Sequence, residues 1–374
     1  RTGFVDAGGV EGGCVSADGQ TRKTLTRADD FVAAGLAAPE QAQALARVTA
    51  KYSAAMTDHL AGLVDRADPA DPIARQFVPD LRELDVHPVD LADPIGDAPR
   101  SPREGLVHRY PDRVLLKLVS ACPVYCRFCF RRETVGSAKG GMLPPAAFEA
   151  ALSYIREHAE IWEVILTGGD PLALSPRRLR EAMAAISAIP HVRTIRIHTR
   201  VPVAAPDLVT DELIGALKTP QAATWIAVHA NHPRELNAIA REKCAALVDA
   251  GIPLVSQTVL LKGVNDNAES LCALMRAFVE TRIKPYYLHH PDLAPGTAHF
   301  RLPIAEGQRI FAELNRRLSG VARPVYVLDI PGGYGKISLA EQAAQEDAPG
   351  QWRLTDPSGG EHAYREAAGK PHST

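Results

Sequence analysis

Cysteine, methionine and tryptophan are scarce in this chain of 374 residues, at 6, 4 and 3 copies, and aromatic residues make up 6% of it. Six cysteines cannot staple a fold of this length, which excludes a disulfide scaffold. No apolar run approaches the roughly 20 residues that a membrane-crossing helix requires. A dominant charge is missing too. With 42 Lys and Arg against 44 Asp and Glu the formal net charge is −2, which gives no general reason to expect nucleic acid or an anionic membrane as partner. The stretch from Arg1 through Gly9 lacks the charged-then-apolar order of a secretion signal. The chain opens on Arg1 instead of Met, which leaves its natural start open, and a cytoplasmic location is expected.

Hydrophobic residues at 46% suffice for a large core, as one elaborated domain or a barrel with an N-terminal extension. Residues 1–25 are Gly-rich and polar and are expected to be disordered. From Thr26 to Val64 the pattern reads as helical, with Leu45, Val48, Tyr52 and Met56 on one face. Residues 67–105 are dense in Asp and Pro and read as a connector wrapping the main domain. From Arg113 apolar runs alternate with amphipathic helices. The candidate strands are Val114–Val119, Val164–Thr167, Thr194–His198, Thr224–His229, Leu254–Leu261 and Pro285–His289. One intervening helix starts at Ser175-Pro176 with a serine cap; another surrounds Phe148, Leu152 and Ile155. Alternating units with continuously apolar strands imply an α/β fold with a parallel sheet covered by helices. Six such repeats predict a partial barrel, with active residues at the C-terminal strand ends. A strand pair, Pro324–Leu328 and Tyr334–Leu339, follows. Beyond Ala340 the tail is expected to be ordered by a partner subunit in part, or not at all. The expected layout is therefore 1–25 unstructured, 26–105 helical extension and connector, 106–320 barrel, and 321–374 C-terminal segment.

Three of the cysteines are concentrated in Cys122-Pro-Val-Tyr-Cys126-Arg-Phe-Cys129, directly after the first barrel strand. Thiolates on one tight loop suit an iron–sulfur cluster or zinc. A structural zinc site wants a fourth ligand at matched spacing, and the nearest candidates, His108 and His158, sit in no paired motif. Three thiolates on a cubane leave one iron open for a ligand. Cys14, Cys244 and Cys272 stand alone and read as small buried hydrophobes. The C-x3-C-x2-C spacing resembles the signature of the radical S-adenosylmethionine (SAM) superfamily, which implies a [4Fe-4S] cluster on Cys122, Cys126 and Cys129 and SAM on the open iron. Thr167-Gly168-Gly169-Asp170 resembles the superfamily's Gly-Gly-Glu-like turn, in which glycines let the backbone approach SAM. Arg200, in His198-Thr199-Arg200-Val201-Pro202-Val203, and Gln257 match further cofactor-binding positions.

Four segments narrow the resemblance to the lysine 2,3-aminomutase family, over roughly Tyr52 to Leu339. His108-Arg109-Tyr110-Pro111-Asp112-Arg113 is similar to the segment that grips the phosphate of pyridoxal 5′-phosphate, and paired Arg residues suit a dianion. Arg131 matches the residue that holds the substrate α-carboxylate. Pro285 to Leu293 contributes Asp292. Val327 to Lys336 resembles the family's Asp-x-Pro-Gly-Gly-x-Gly-Lys, whose Lys carries the cofactor covalently, and contributes Asp329. In lysine-acting members the carboxylates matching Asp292 and Asp329 bind the ε-ammonium, and two carboxylates around one buried cation is sound physics. The implied enzyme is an isomerase moving the amino group of L-lysine from C2 to C3. Its implied partners are the amino acid, an electron donor such as flavodoxin or ferredoxin, and further copies of itself. Two departures stand out: Asn267 replaces a zinc-binding Cys of some members, whose tail cysteines are also missing here, and His289 and His290 replace residues that are often aromatic or apolar. Other readings stay open: a mutase for another amino acid, a supplier of (R)-β-lysine for elongation factor P, a radical SAM maturase without pyridoxal phosphate, or a non-enzymatic zinc module.

Overall fold

The computed structural model describes residues 24–136, 141–340, 344–348, 351–355 and 360–365. Its strands, in chain order, are β1 (Thr24–Leu25), β2 (Met56–Thr57), β3 (Leu106–Tyr110), β4 (Arg113–Val119), β5 (Glu163–Gly168), β6 (Thr194–Thr199), β7 (Ala223–His229), β8 (Leu254–Val259), β9 (Ile283–His289), β10 (Val325–Ile330), β11 (Gly335–Ser338), β12 (Ala344–Ala348), β13 (Gln351–Thr355) and β14 (Glu361–Arg365). Strands β3 to β11 form one sheet in sequential order. Neighbours from β4 through β10 are parallel, and β3 and β11 close the two edges antiparallel. Between the parallel strands run helices Pro145–Glu157, Pro176–Ser187, Asp211–Leu217, Ala238–Asp249, Ala268–Glu280 and Ile304–Arg317. The result is the expected partial barrel of six β/α units, with β10 added as a further parallel strand.

Side-chain alternation decides what faces the helices and what faces the lumen. Val164, Leu166, Ile195, Ile197, Ile226 and Val228 are fully buried against Leu152, Ile155, Leu179, Met183 and Ile186 of the outer helices. The opposite row puts Ile165, Thr167, Arg196, His198, His229, Gln257, Tyr287 and His289 on the lumen. The strands are therefore not apolar throughout, as expected from sequence; a polar inner row was hidden inside runs that read as apolar. At the floor Arg196 makes a two-pronged ion pair with Glu163, at 2.9 and 3.0 Å.

Five sequence expectations change. The helical reading through Val64 breaks after helix Ala42–Lys51, because Tyr52 leaves with φ −125°. Met56 then pairs with Leu25 and is fully buried in a second core with Phe31, Leu60, Ile73 and Phe77. Of the segment expected to be unstructured, Thr24 and Leu25 form β1, and residues 1–23 lie outside the described residues. The tail holds a three-stranded antiparallel sheet, β12-β13-β14. Ser175 sits at a helix N-cap position without making a side-chain cap. Strand β3 was not anticipated: Tyr110 pairs with Arg113 across the Pro111-Asp112 turn, so the segment is a hairpin.

Candidate active site

Fifteen residues singled out for chemistry line one cavity of about 270 Å³ that runs through the barrel lumen: Arg109, Tyr110, Arg113, Cys122, Cys126, Cys129, Arg131, Gly168, Gly169, Asp170, Arg200, Gln257, Asp292, Asp329 and Lys336. Arg113 opens β4 and so lies at its N-terminal end, away from the strand ends where active residues were expected. The cysteine loop leaves β4 and is pinned from both sides. Arg127 is inserted beneath it, 1% exposed, and bonds Glu83 at 2.9 and 2.5 Å and the Ser53 carbonyl at 2.8 Å. Arg132 also bonds Glu83, and reaches the Gly296 carbonyl at 2.9 Å. Burial raises the pKa of all three thiols, that of Cys126 to about 11 against the pull of Arg200. Three free thiols on one loop are the donor set an iron–sulfur cluster takes.

The Gly168-Gly169-Asp170 turn does more than bare its backbone. A Cβ on Gly168 would lie 2.4 Å from the Val119 carbonyl oxygen, and one on Gly169 2.2 Å from that of Ala121. The glycines are required by the approach of the cysteine loop itself. Asp170 is buried and accepts bonds from Leu172 N, Thr199 Oγ1 and Arg200 N at 3.0, 2.7 and 2.7 Å. Burial raises its pKa, and these bonds only partly offset that. Arg200 directs Nη1 to Cys126 Sγ at 3.1 Å and Nη2 to Gln76 and Glu235 at 2.7 and 2.5 Å. Gln257 and the buried, unpaired Nε2 of His198 face the same lumen.

At the other end of the cavity the β10–β11 hairpin sets Asp329 directly across from Lys336. Lys336 Nζ donates to Asp329 Oδ1 at 2.8 Å, and its backbone N donates to Tyr110 Oη at 2.8 Å. Gly332, Gly333 and Gly335 at φ +87°, +84° and +99° make the turn that brings the lysine inward. Burial would raise the Asp329 pKa, but His289 and Lys336 hold it well below the usual carboxylate range. Asp292 makes no ion pair among the described residues. Burial, then the charge of Asp329, pushes it up to about 7.

Arg109 bonds Asp329, Asp97 and the Ile95 carbonyl at 3.3, 3.3 and 2.6 Å, and its Nε is buried without a partner. Arg113 lies 3.7 Å over the Tyr110 ring and bonds Asp112. Arg131 rests on Asp97 at 3.0 Å and on Thr167 Oγ1 at 3.4 Å. An unpaired buried donor on Arg109, a half-exposed Arg113 and a lysine amine in one chamber fit an anionic aldehyde cofactor. Sequence reasoning missed Gln76, Glu83, Asp97, Glu235 and Arg127, which carry the arginines and the loop. The available signal was charge accounting: a buried guanidinium needs an acid, and the Asp-rich connector was the nearest source. Asn267 caps helix Ala268–Glu280 through a 2.8 Å bond from Ser270 N.

A profile of the Radical SAM superfamily matches residues 116–275, the span from β4 into the helix after β8. L-lysine 2,3-aminomutase of Fusobacterium nucleatum is 38% identical over 310 residues, 83% of this chain and 72% of that protein. The enzyme of the same name from Clostridium subterminale is 39% identical over 300 residues, covering 80% and 72%. Glutamate 2,3-aminomutase of Clostridioides difficile is 35% identical over 295 residues, covering 79% and 69%. Such identity over most of both chains, together with the cysteine loop and the opposed Asp329 and Lys336, places the chain in the lysine 2,3-aminomutase family of the radical SAM superfamily.

Proposed function

We propose that this enzyme moves the amino group of L-lysine from C2 to C3, using a [4Fe-4S] cluster, SAM and pyridoxal 5′-phosphate. Similarity alone does not choose the substrate, because relatives named for lysine and for glutamate match at comparable identity. The observation that carries the choice is the pair of acids, Asp292 and Asp329, facing one cavity. A side-chain ammonium would pair with both, whereas a side-chain carboxylate set beside these two acids would be repelled by them.

When bound, the cluster and SAM supply a carbon-centred radical, and pyridoxal phosphate supplies a π system through which an amino group can pass. Cys122, Cys126 and Cys129 would hold the cluster; Gly168, Gly169, Asp170 and Gln257 would frame SAM, while Arg200, matched to a cofactor-binding position in the sequence, is turned instead to Cys126, Gln76 and Glu235. Arg109, Tyr110 and Arg113 would hold the phosphate end of the cofactor, Lys336 its reactive carbon, and Arg131 the substrate carboxylate. Asp329, held by Lys336, Arg109 and His289, faces the same chamber as Asp292, and the two carboxylates would take the substrate's side-chain cation between them. The lumen walls keep bulk water from the radical. The proposed layout assigns residues 26–105 to a wrapping extension, 106–320 to the barrel and 321–374 to the segment bearing Lys336. No helix among the described residues is long and apolar enough to cross a membrane. We place the enzyme in the cytoplasm, as a homo-oligomer supplied with electrons by a flavodoxin or ferredoxin.

The test is anaerobic: load cluster and pyridoxal phosphate, reduce, add SAM and L-lysine, and assay β-lysine by mass spectrometry. Lysine-dependent β-lysine that vanishes in Lys336→Ala supports reaction, substrate and lysine role together. SAM cleavage without β-lysine removes the substrate assignment and leaves the radical chemistry.

A further inference from the structure

Arg200 stands out because both terminal nitrogens of its guanidinium are taken by protein atoms, while its buried Nε has no partner. It is 5% exposed and lies between the rings of Phe77 and Phe128, 4.6 and 5.4 Å from their centroids. One terminal nitrogen points at Cys126 Sγ, 3.1 Å away, and the other is shared by Gln76 and Glu235. Glu235 is itself immobile: its second oxygen accepts from Asn231 N at 2.9 Å, His232 N at 3.0 Å and Gln76 Nε2 at 3.1 Å. Swinging Arg200 toward a ligand in the cavity would leave a carboxylate that is 0% exposed without its cation. The geometry holds the arginine against the sulfur.

We propose that Arg200 tunes the reduction potential of the iron–sulfur cluster through a charge-assisted N–H···S bond to Cys126, with Glu235 as the positioning residue that sets how much of its charge the cluster feels. The inference rests on the cysteine loop holding the cluster. Reduction adds one electron, from a low-potential one-electron donor, and transfers no atom. The reduced cluster is more negative, so a cation at the sulfur stabilises it and raises the potential. Glu235 opposes this by neutralising the cation in a medium of low dielectric. Gln76 lies on helix Pro72–Phe77, so the N-terminal extension is part of the device.

The two charges act in opposite directions, which separates tuning from loose structural damage. Wild type, Arg200→Lys, Arg200→Met and Glu235→Gln are loaded with iron and sulfide under argon. Each is then titrated with dithionite while the reduced-cluster signal is followed by electron paramagnetic resonance. Arg200→Met is expected to lower the midpoint potential, with Arg200→Lys between it and wild type. Glu235→Gln, which preserves shape, is expected to raise it. If Arg200→Met fails to hold iron, the sign of the Glu235→Gln shift decides alone. An unchanged or lowered potential in Glu235→Gln overturns the inference. A wild-type protein that assembles no cluster overturns the cysteine reading instead, a different and separately visible failure.

Discussion

Asp292 is the residue on which substrate binding and fold stability pull in opposite directions. Its pKa is raised from 3.8 to about 7, so the native state keeps a proton that the unfolded chain has released. For a carboxyl raised on folding, stability is lost as pH climbs from about 4 to about 7, because over that window the unfolded state binds fewer protons. Asp292→Asn should therefore stabilise the cofactor-free protein at pH 7.5. Partial exposure of Asp292 holds the gain to on the order of 1–2 kcal/mol, measured by denaturant unfolding. The same change should raise the KM for lysine about 10–100-fold, the worth of one hydrogen bond between charged groups. In the wild type KM should climb as pH falls below 7, since protonation competes with the substrate cation, and the Asn variant should lose that limb. A KM independent of pH between 6 and 8 in both proteins would remove Asp292 from the substrate site.

At the scale of the element, much was legible because it was local. The six barrel strands read as apolar runs between amphipathic helices, and the three-cysteine loop and the Asp329-to-Lys336 hairpin are contiguous motifs. What was not legible depends on residues distant in the chain. Met56 reads as one more apolar step of a helix until its pairing with Leu25 is known. The glycines of the Gly168-Gly169 turn read as ligand-facing, whereas the carbonyls of Val119 and Ala121 fix them. That difference makes a prediction about the turn. Gly→Ala at a tolerant site stabilises by about 0.4–1 kcal/mol. At Gly169, however, the new Cβ would meet the Ala121 carbonyl oxygen at 2.2 Å, and backbone must move just before the first cluster cysteine. Gly169→Ala should bind less iron and acid-labile sulfide per chain than wild type, whether or not SAM is present. Full iron loading with impaired SAM binding would show that the turn serves the ligand alone.

For the molecule as a whole, the Asp- and Pro-rich extension is the counter-charge of the barrel mouth. Arg109 and Arg131 rest on Asp97, Arg127 and Arg132 on Glu83, Arg234 on Asp71 and Arg301 on Asp90, while Arg200 is bonded to Gln76. Each of these arginines belongs to the barrel or its loops, and each partner to residues 71–97. Apolar packing follows the same seam, where Phe77, Ile73 and Leu60 enclose Val124 of the cysteine loop and Ala204. Breaking one buried pair by removing a partner costs about 3–5 kcal/mol. Such losses need not add, yet two of them would rival the roughly 5–15 kcal/mol by which a folded domain is stable. Glu83→Ala, which strands two arginines at once, should lower the midpoint of thermal unfolding of the full chain more than any single exposed-surface change. A barrel expressed from residue 106 onward should fail to fold as a soluble protein. Co-expression with residues 24–105 should restore it, because these contacts are non-covalent. A soluble, iron-loading barrel without the extension would mean that the mouth arginines find other partners, and that the extension is an accessory to the fold.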